Sequence, residues 1–206
     1  MLGKWLGVGV LAAVQLLAAD AIHFERHFPG AVPERFEVRL SQDGTAVYTE
    51  AGEHALELPV GPRAAGRVFE LAAKLDFFSR PLRSRRKVAS TGRKLLRYES
   101  GGDVRGEAEF DYSEDSNARE IASWFIKLCE THQHLQELER VFRFDRLGVN
   151  QALVNLDQAY ERDRVVAAEL LVPILGRIAG HDRIVHLARA RAEGLLEKIR
   201  RTQHDQ

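Results

Sequence analysis

The sequence predicts an α+β protein in which antiparallel β-hairpins and one packed helix come first and a C-terminal α-helical bundle follows. Up to about Tyr112, short runs of alternating polar and apolar residues are separated by glycine-containing turns, a pattern typical of strands. After Tyr112, apolar residues recur every three or four positions over long stretches, as they do in helices. We therefore expect a signal peptide over 1–21, an α+β domain over 22–112, and a helical region over 113–206 that holds a long helix and a three-helix bundle.

The composition is that of an ordinary globular protein. Of the 206 residues, 45% are hydrophobic, and 30 Lys and Arg balance 30 Asp and Glu. A formal net charge of zero argues against a protein whose main task is to coat nucleic acid, so we expect no nucleic-acid partner. The single cysteine, Cys129, excludes an intramolecular disulfide, and its place on the apolar side of a predicted helix favours a small buried side chain.

The N-terminus has the pattern of a secretory signal peptide. Lys4 supplies a positive charge, the run Trp5–Ala19 carries none, and Ala19 and Ala21 are small residues with the spacing of a cleavage site. We expect cleavage after Ala21 and export to the periplasm or the medium. An uncleaved anchor is the alternative, but a membrane-spanning helix needs about 20 apolar residues, and Asp20 ends this run earlier. The processed chain is therefore not expected to span a membrane.

The α+β domain begins with a predicted hairpin. The segment Arg35–Leu40 alternates polar and apolar residues, a turn signal follows at Asp43-Gly44, and Ala46–Tyr48 resumes a strand. A further short strand is predicted over 53–59.

A helix follows this strand. It begins at Pro62, because proline is tolerated in a first helical turn. Its apolar residues recur at helical spacing and are Val68, Leu71, Ala72, Leu75 and Phe78. Such a helix lays one apolar face on a sheet.

A second hairpin is predicted from Arg93–Glu99 and Val104–Tyr112, with its turn at Gly101–Asp103. A three-residue loop brings two ion pairs into register, whereas a two-residue loop loses both, so cross-strand chemistry favours the longer loop. The pairs predicted by that register are Arg97 with Glu107, Arg93 with Asp111 and Leu96 with Ala108.

Two motifs of this region resemble those of a family of small domains of unknown function found in exported bacterial proteins. One is the hairpin motif Asp43-Gly44-Thr45-Ala46-Val47-Tyr48, and the other is a helix that closes in Phe77 and Phe78. The family also has a later hairpin, so the similarity covers about residues 34–112. The resemblance implies an exported α+β domain and implies no catalytic residues. The chain departs from the family pattern in its long helical extension.

Four helices are predicted after Tyr112. The first begins at Asp115 or Ser116, both plausible caps, and its apolar stripe reaches Phe142. The other three cover Val149–Tyr160, Val165–Ile178 and Ile184–Ile199. Their short connections make neighbouring helices antiparallel.

Two groups of basic residues are candidates for binding a partner. The first is a stretch before the second hairpin and comprises Arg83, Arg85, Arg86 and Lys87. The second lies on the last helix and comprises Arg189, Arg191, Lys198, Arg200 and Arg201. An acidic protein or an anionic envelope surface would suit either group.

The candidates for catalysis are few. Glu130, His134 and Glu137 lie on one face of the long helix, where a carboxylate, an imidazole and a carboxylate could hold a divalent metal. The same face is also what a solvated helix surface looks like. The sequence has no nucleophile elbow, phosphate-binding loop or dinucleotide motif, and no cofactor is predicted.

These observations favour an exported, non-enzymatic binding or scaffold protein of the bacterial cell envelope. A small metal-dependent hydrolase centred on the long helix is the alternative from another class. A second alternative is peripheral membrane association through the basic C-terminal helix.

Overall fold

The structure is a computed structural model that describes residues 20–50, 52–86 and 89–204. The predicted signal segment up to Ala19, and Lys87 of the basic stretch, lie outside the described residues. The described chain falls into two compact units that divide after Ala122, which we call the sheet unit and the helical unit. Antiparallel strands come first and most helices come after them, which confirms the predicted α+β class.

One six-stranded antiparallel sheet forms the basis of the sheet unit. Its strands are β1 (Ala21–His27), β2 (Arg35–Ser41), β3 (Thr45–Glu50), β4 (Leu56–Pro59), β5 (Arg93–Ser100) and β6 (Asp103–Phe110). Their order across the sheet is β4-β3-β2-β1-β5-β6. Strand β1 joins the two predicted hairpins, because it pairs with β2 on one side and with β5 on the other.

Strand β1 is missing from the sequence-based prediction. Its apolar residues Ala21, Ile22 and Phe24 are almost fully buried. Ala21 lies opposite Ser41 of β2 and Glu99 of β5. The strand therefore occupies the interior of the sheet from its first residue.

One face of the sheet carries the core of the sheet unit. The rings of Phe36 and Tyr48 stack there, with centroids 5.9 Å apart. Helix α1 (Pro62–Lys74) buries its apolar face, and its Phe69 ring lies 6.5 Å from the ring of Tyr98 on β5. The prediction of one helix packed with the hairpins is confirmed.

The second hairpin has the predicted register over most of its length. Two predicted pairs are present, Arg97 with Glu107 and Leu96 with Ala108. The pairing shifts by one residue between Tyr98 and Glu99, so the turn contains only Gly101 and Gly102. The predicted three-residue loop is therefore a two-residue turn followed by an irregularity in the ladder.

The third predicted pair, Arg93 with Asp111, is wrong. Strand β6 ends at Phe110. The carboxylate of the next residue, Asp111, accepts a hydrogen bond from the Thr91 backbone N–H at 2.7 Å. Arg93 instead forms an ion pair with Glu109, with Nη2 and Oε2 2.7 Å apart.

Helix α1 ends at Lys74, short of the predicted end at Phe78. The chain then passes through three consecutive left-handed residues, Asp76, Phe77 and Phe78, with φ values of 51°, 48° and 66°. This conformation costs a non-glycine residue roughly 1–2 kcal/mol. Aromatic packing holds the turn in place, since the Phe77 ring stacks on Tyr98 at 4.3 Å.

The helical unit contains most of helix α2 and three shorter helices. These helices are α2 (Ser116–Phe144), α3 (Val149–Glu161), α4 (Val172–Ala179) and α5 (His186–His204). Asp115 caps α2, because its Oδ1 accepts the Asn117 N–H at 2.9 Å. Cys129 is buried, as predicted. Within the described residues, no helix has both the length and the apolar character that crossing a membrane requires.

The third predicted helix is shorter than the sequence indicates. Its first part is a 3-10 turn at Ala168–Leu171, and α4 begins only at Val172. Pro173 then occupies the first turn of α4, where its missing N–H costs nothing. The core that these helices share includes Leu138, Val141, Leu153, Leu156, Ile174, Leu175 and Leu195.

Candidate functional site

The predicted metal ligands lie along an open groove of the helical unit. The groove has a volume of about 620 Å³ and is lined by Glu130, Gln133, His134, Glu137, Asn155, Gln158, Ala159, Arg162 and Arg164. The lining is polar and contains charges of both signs. Glu130, His134 and Glu137 therefore share one groove, as their helical spacing indicates.

Both carboxylates of this trio are engaged by arginines. Arg164 donates two hydrogen bonds to Glu130, one of them from Nε to Oε2 at 2.7 Å. Glu137 accepts two from Arg140, at 2.7 and 2.8 Å, and this contact lowers the pKa of the Glu137 carboxyl. A carboxylate held in this way has to give up an arginine before it can bind a metal.

His134 is half-buried in the groove. Burial lowers the pKa of its imidazole, although the nearby Glu130 charge acts in the opposite direction. The ring is therefore neutral at pH 7, and protonation as the pH falls destabilises the fold. Among the residues that the structure describes, no group of three His, Cys, Asp or Glu side chains is placed to hold a metal ion.

Only part of the basic stretch before the second hairpin is available to contact a partner. Arg86 forms an ion pair with Glu114, with Nε and Oε1 3.2 Å apart. The hydroxyl of the intervening Ser84 donates to the same carboxylate at 2.7 Å. Arg83 and Arg85 are exposed. Two cations thus remain as a candidate contact.

Two of the five basic residues predicted on the last helix form close ion pairs. Lys198 contacts Asp157 at 2.6 Å and Glu161 at 3.3 Å, and the hydrogen bond to Asp157 raises the pKa of Lys198. Arg201 pairs with Glu197 at 2.9 Å. The three other predicted residues are Arg189, which lies 3.9 Å from Asp182, Arg191, which is half-buried, and Arg200, which is exposed.

Four large apolar side chains are exposed on the helical unit. Phe144, at the end of α2, is 76% exposed, and Leu147 in the next loop is 88% exposed. Val185 and Leu187, around the start of α5, are 51% and 59% exposed. We call these four residues the end surface.

Contacts of Phe142 bring the end of α2 close to the end of α4. The Phe142 ring, near the end of α2, lies 5.3 Å from the ring of His181, which follows α4. The guanidinium of Arg177, in the last turn of α4, lies 4.7 Å from the centre of the same Phe142 ring. The loop after α2 and the loop after α4 therefore lie side by side.

The end surface is the feature that sequence reasoning missed. The sequence predicts that the apolar stripe of α2 ends at Phe142. Phe144 comes two residues later, so it points to the opposite side of the helix from Phe142. An aromatic residue off the stripe, followed closely by Leu147 in a predicted loop, is the signal that could have revealed this surface.

Comparison with models of known protein families, with curated proteins and with solved structures gave no match.

Proposed function

We propose that this protein is an exported, non-enzymatic binding protein of the bacterial cell envelope, and that the end surface is its contact with a protein partner. One observation carries the proposal. Phe144, Leu147, Val185 and Leu187 are each at least half exposed, and they lie in or next to the loops that follow α2 and α4. Single exposed apolar residues are common, but large ones gathered in one region mark interaction sites.

The surroundings of the end surface carry charges of both signs. Three exposed arginines, Arg143, Arg146 and Arg183, accompany two exposed acids, Asp145 and Asp182, which leaves a local net charge of +1. The Arg143 guanidinium also lies 5.7 Å from the centre of the Phe144 ring. Phenylalanine and arginine are enriched in protein interfaces.

The same balance argues against an anionic membrane as the occupant. A basic residue near an anionic membrane contributes about 1 kcal/mol, so a net charge of +1 contributes only about that much. Stable peripheral attachment needs several such contributions. Lys198 and Arg201 of α5 are also held in ion pairs. A protein partner is therefore the better occupant.

The location in the envelope is supported by the N-terminal sequence. Lys4 and the uncharged run Trp5–Ala19 have the order of charge and apolar length that an export signal needs.

A metal-dependent hydrolase receives less support. Glu130 is held by Arg164 and Glu137 by Arg140, which leaves His134 as the one member of the trio without an arginine. A catalytic metal site uses about three protein ligands.

The double substitution Phe144→Ser and Leu147→Ser tests the proposal. We expect at least a tenfold loss of partner capture, because truncation of a hot-spot residue of an interface costs about 2 kcal/mol or more. Folding stability is expected to change by less than about 0.5 kcal/mol, since both side chains are exposed. The measurement is quantitative cross-linking of the tagged protein in intact cells, followed by mass spectrometry of the cross-linked partner.

Val104→Ser is the matched control, because Val104 is an apolar residue, 54% exposed, in the sheet unit. A partner captured equally by wild type and the double variant would contradict the proposal. Flotation of the wild-type protein, but not of the double variant, with phosphatidylglycerol vesicles would also contradict the proposal, because the occupant would then be a membrane.

A further inference from the structure

The two residues before the predicted mature N-terminus belong to the folded sheet unit. Ala21 is 0% exposed and pairs with strands on both sides, opposite Ser41 and Glu99. The backbone carbonyl of Asp20 accepts a hydrogen bond from the Gln42 N–H at 3.2 Å. Both residues are therefore part of the interior strand of the sheet or directly continuous with it.

The Asp20 side chain is also engaged. Its Oδ2 accepts a hydrogen bond from the Tyr98 hydroxyl at 2.8 Å. Burial first, and this hydrogen bond second, raise the pKa of Tyr98, so the hydroxyl keeps the proton that it donates. The Tyr98 ring in turn stacks on Phe77 of the left-handed turn. Asp20 thus ties the start of β1 to the aromatic packing that holds this turn.

Cleavage after Ala21 would remove the contacts of Asp20 and Ala21. It would also place a charged α-amino group on Ile22, which lies inside the sheet opposite Leu40 and Tyr98. Burying an ammonium group without a compensating partner is unfavourable. The sequence pattern at Ala19 and Ala21 predicts cleavage after Ala21. The contacts of Asp20 and Ala21 in the folded structure favour cleavage before Asp20.

We propose that signal peptidase cuts between Ala19 and Asp20, so that the mature chain begins at Asp20. Water adds across this peptide bond, which leaves a carboxylate on Ala19 and an ammonium group on Asp20. Ala19 supplies the small residue at position −1, whereas position −3 is Leu17, which is larger than the small residue of the usual pattern. The new ammonium group then lies one residue before β1, on the half-buried Asp20. This inference rests on the proposed export of the protein.

The test is the intact mass of the full-length chain after expression in a bacterium and purification from the periplasm. We expect the mass of residues 20–206. A mass smaller by one Asp and one Ala, which is a start at Ile22, would overturn the inference and leave export standing. A periplasmic product that starts at any other residue would also overturn it. An uncut chain that stays in the cytoplasm or membrane fraction would contradict export itself as well as the cut.

Hydrogen exchange gives a second readout that does not depend on the cut being efficient. Asp20→Ala and Tyr98→Phe are each expected to speed amide exchange at the start of β1, and the double variant is expected to do no more than either one, because both remove the same contact. Tyr160→Phe, which removes a hydroxyl contact in the helical unit, is the control. Unchanged exchange in Asp20→Ala would show that Asp20 has no structural role.

Discussion

Replacing Gly106 with alanine is expected to lower the free energy of unfolding of the sheet unit by about 3 kcal/mol. A β-carbon at this position of β6 would lie 2.1 Å from the backbone carbonyl oxygen of Phe77 and 3.1 Å from the Ser79 nitrogen. The contact is with backbone and not with the end of a side chain, so a rotamer change does not relieve it. The substitution therefore forces the strand and the left-handed turn apart.

The turn has little freedom to move away. Its three residues already have positive φ values, and the Phe77 ring is fixed against Tyr98. Urea unfolding followed by circular dichroism, with amide exchange of β5 and β6 as the local readout, measures the effect. Gly66→Ala in α1 is the control, because a β-carbon there meets no atom within 4 Å, and we expect a change between zero and about 1 kcal/mol of added stability. A Gly106→Ala variant as stable as wild type would contradict the close approach.

Replacing Lys94 with methionine is expected to cost about 2–4 kcal/mol of the free energy of unfolding. Lys94 is only 6% exposed. Its ammonium nitrogen lies within 3.1 Å of four neutral oxygens, which are the carbonyls of Thr91, Gly92 and Asp111 and the Thr91 hydroxyl. Methionine keeps the apolar stem but leaves these oxygens without their donor.

The pH dependence of the same group has a defined sign. Burial lowers the pKa of Lys94, so at high pH the unfolded chain binds more protons at this residue than the folded chain. Wild type should therefore gain stability relative to Lys94→Met as the pH rises from the folded pKa toward the ordinary lysine value. Chemical denaturation at several alkaline pH values measures this difference. Lys74→Met, an exposed lysine in the last turn of α1, is the control and should change stability by less than about 0.5 kcal/mol. Equal losses for the two variants would show that the buried contacts of Lys94 contribute nothing.

Local patterns in the sequence were sufficient to predict much of the sheet unit. Alternation and the turn at Asp43-Gly44 predicted strands β2 and β3, and the ion pair of Arg97 with Glu107 predicted the register of the second hairpin. The irregularity at Tyr98 was not predictable, because the alternative loop lengths differ by a single residue. Such a shift depends on packing around the turn and not on the cross-strand pairs.

Features that depend on distant parts of the chain were missed. Strand β1 is stabilised by neighbours from opposite sides of the sheet, and its sequence directly follows a segment that reads as an export signal. The partners of Lys94 are mostly backbone carbonyls, which no side-chain pattern reveals.

The candidate site was likewise predicted only in part, because some of its contacts come from distant parts of the chain. Helical spacing correctly placed Glu130, His134 and Glu137 along one groove, but it could not show that Arg164 reaches Glu130 from a position 34 residues away. The exposure of Phe144 and Leu147 likewise depends on which helices end beside them. Sequence periodicity predicts which side of a helix a residue occupies, and tertiary packing decides whether that side is covered.

The proposal that the end surface binds a protein partner is tested most directly by site-specific photo-cross-linking in living bacteria. A photoreactive amino acid replaces Leu147, Leu187 or, as the control, Val104. We predict one discrete covalent complex with the same protein from positions 147 and 187, absent from position 104 and abolished by Phe144→Ser. Exported protein that gives no complex from either end-surface position, or that gives the same complex from Val104, would contradict the proposal.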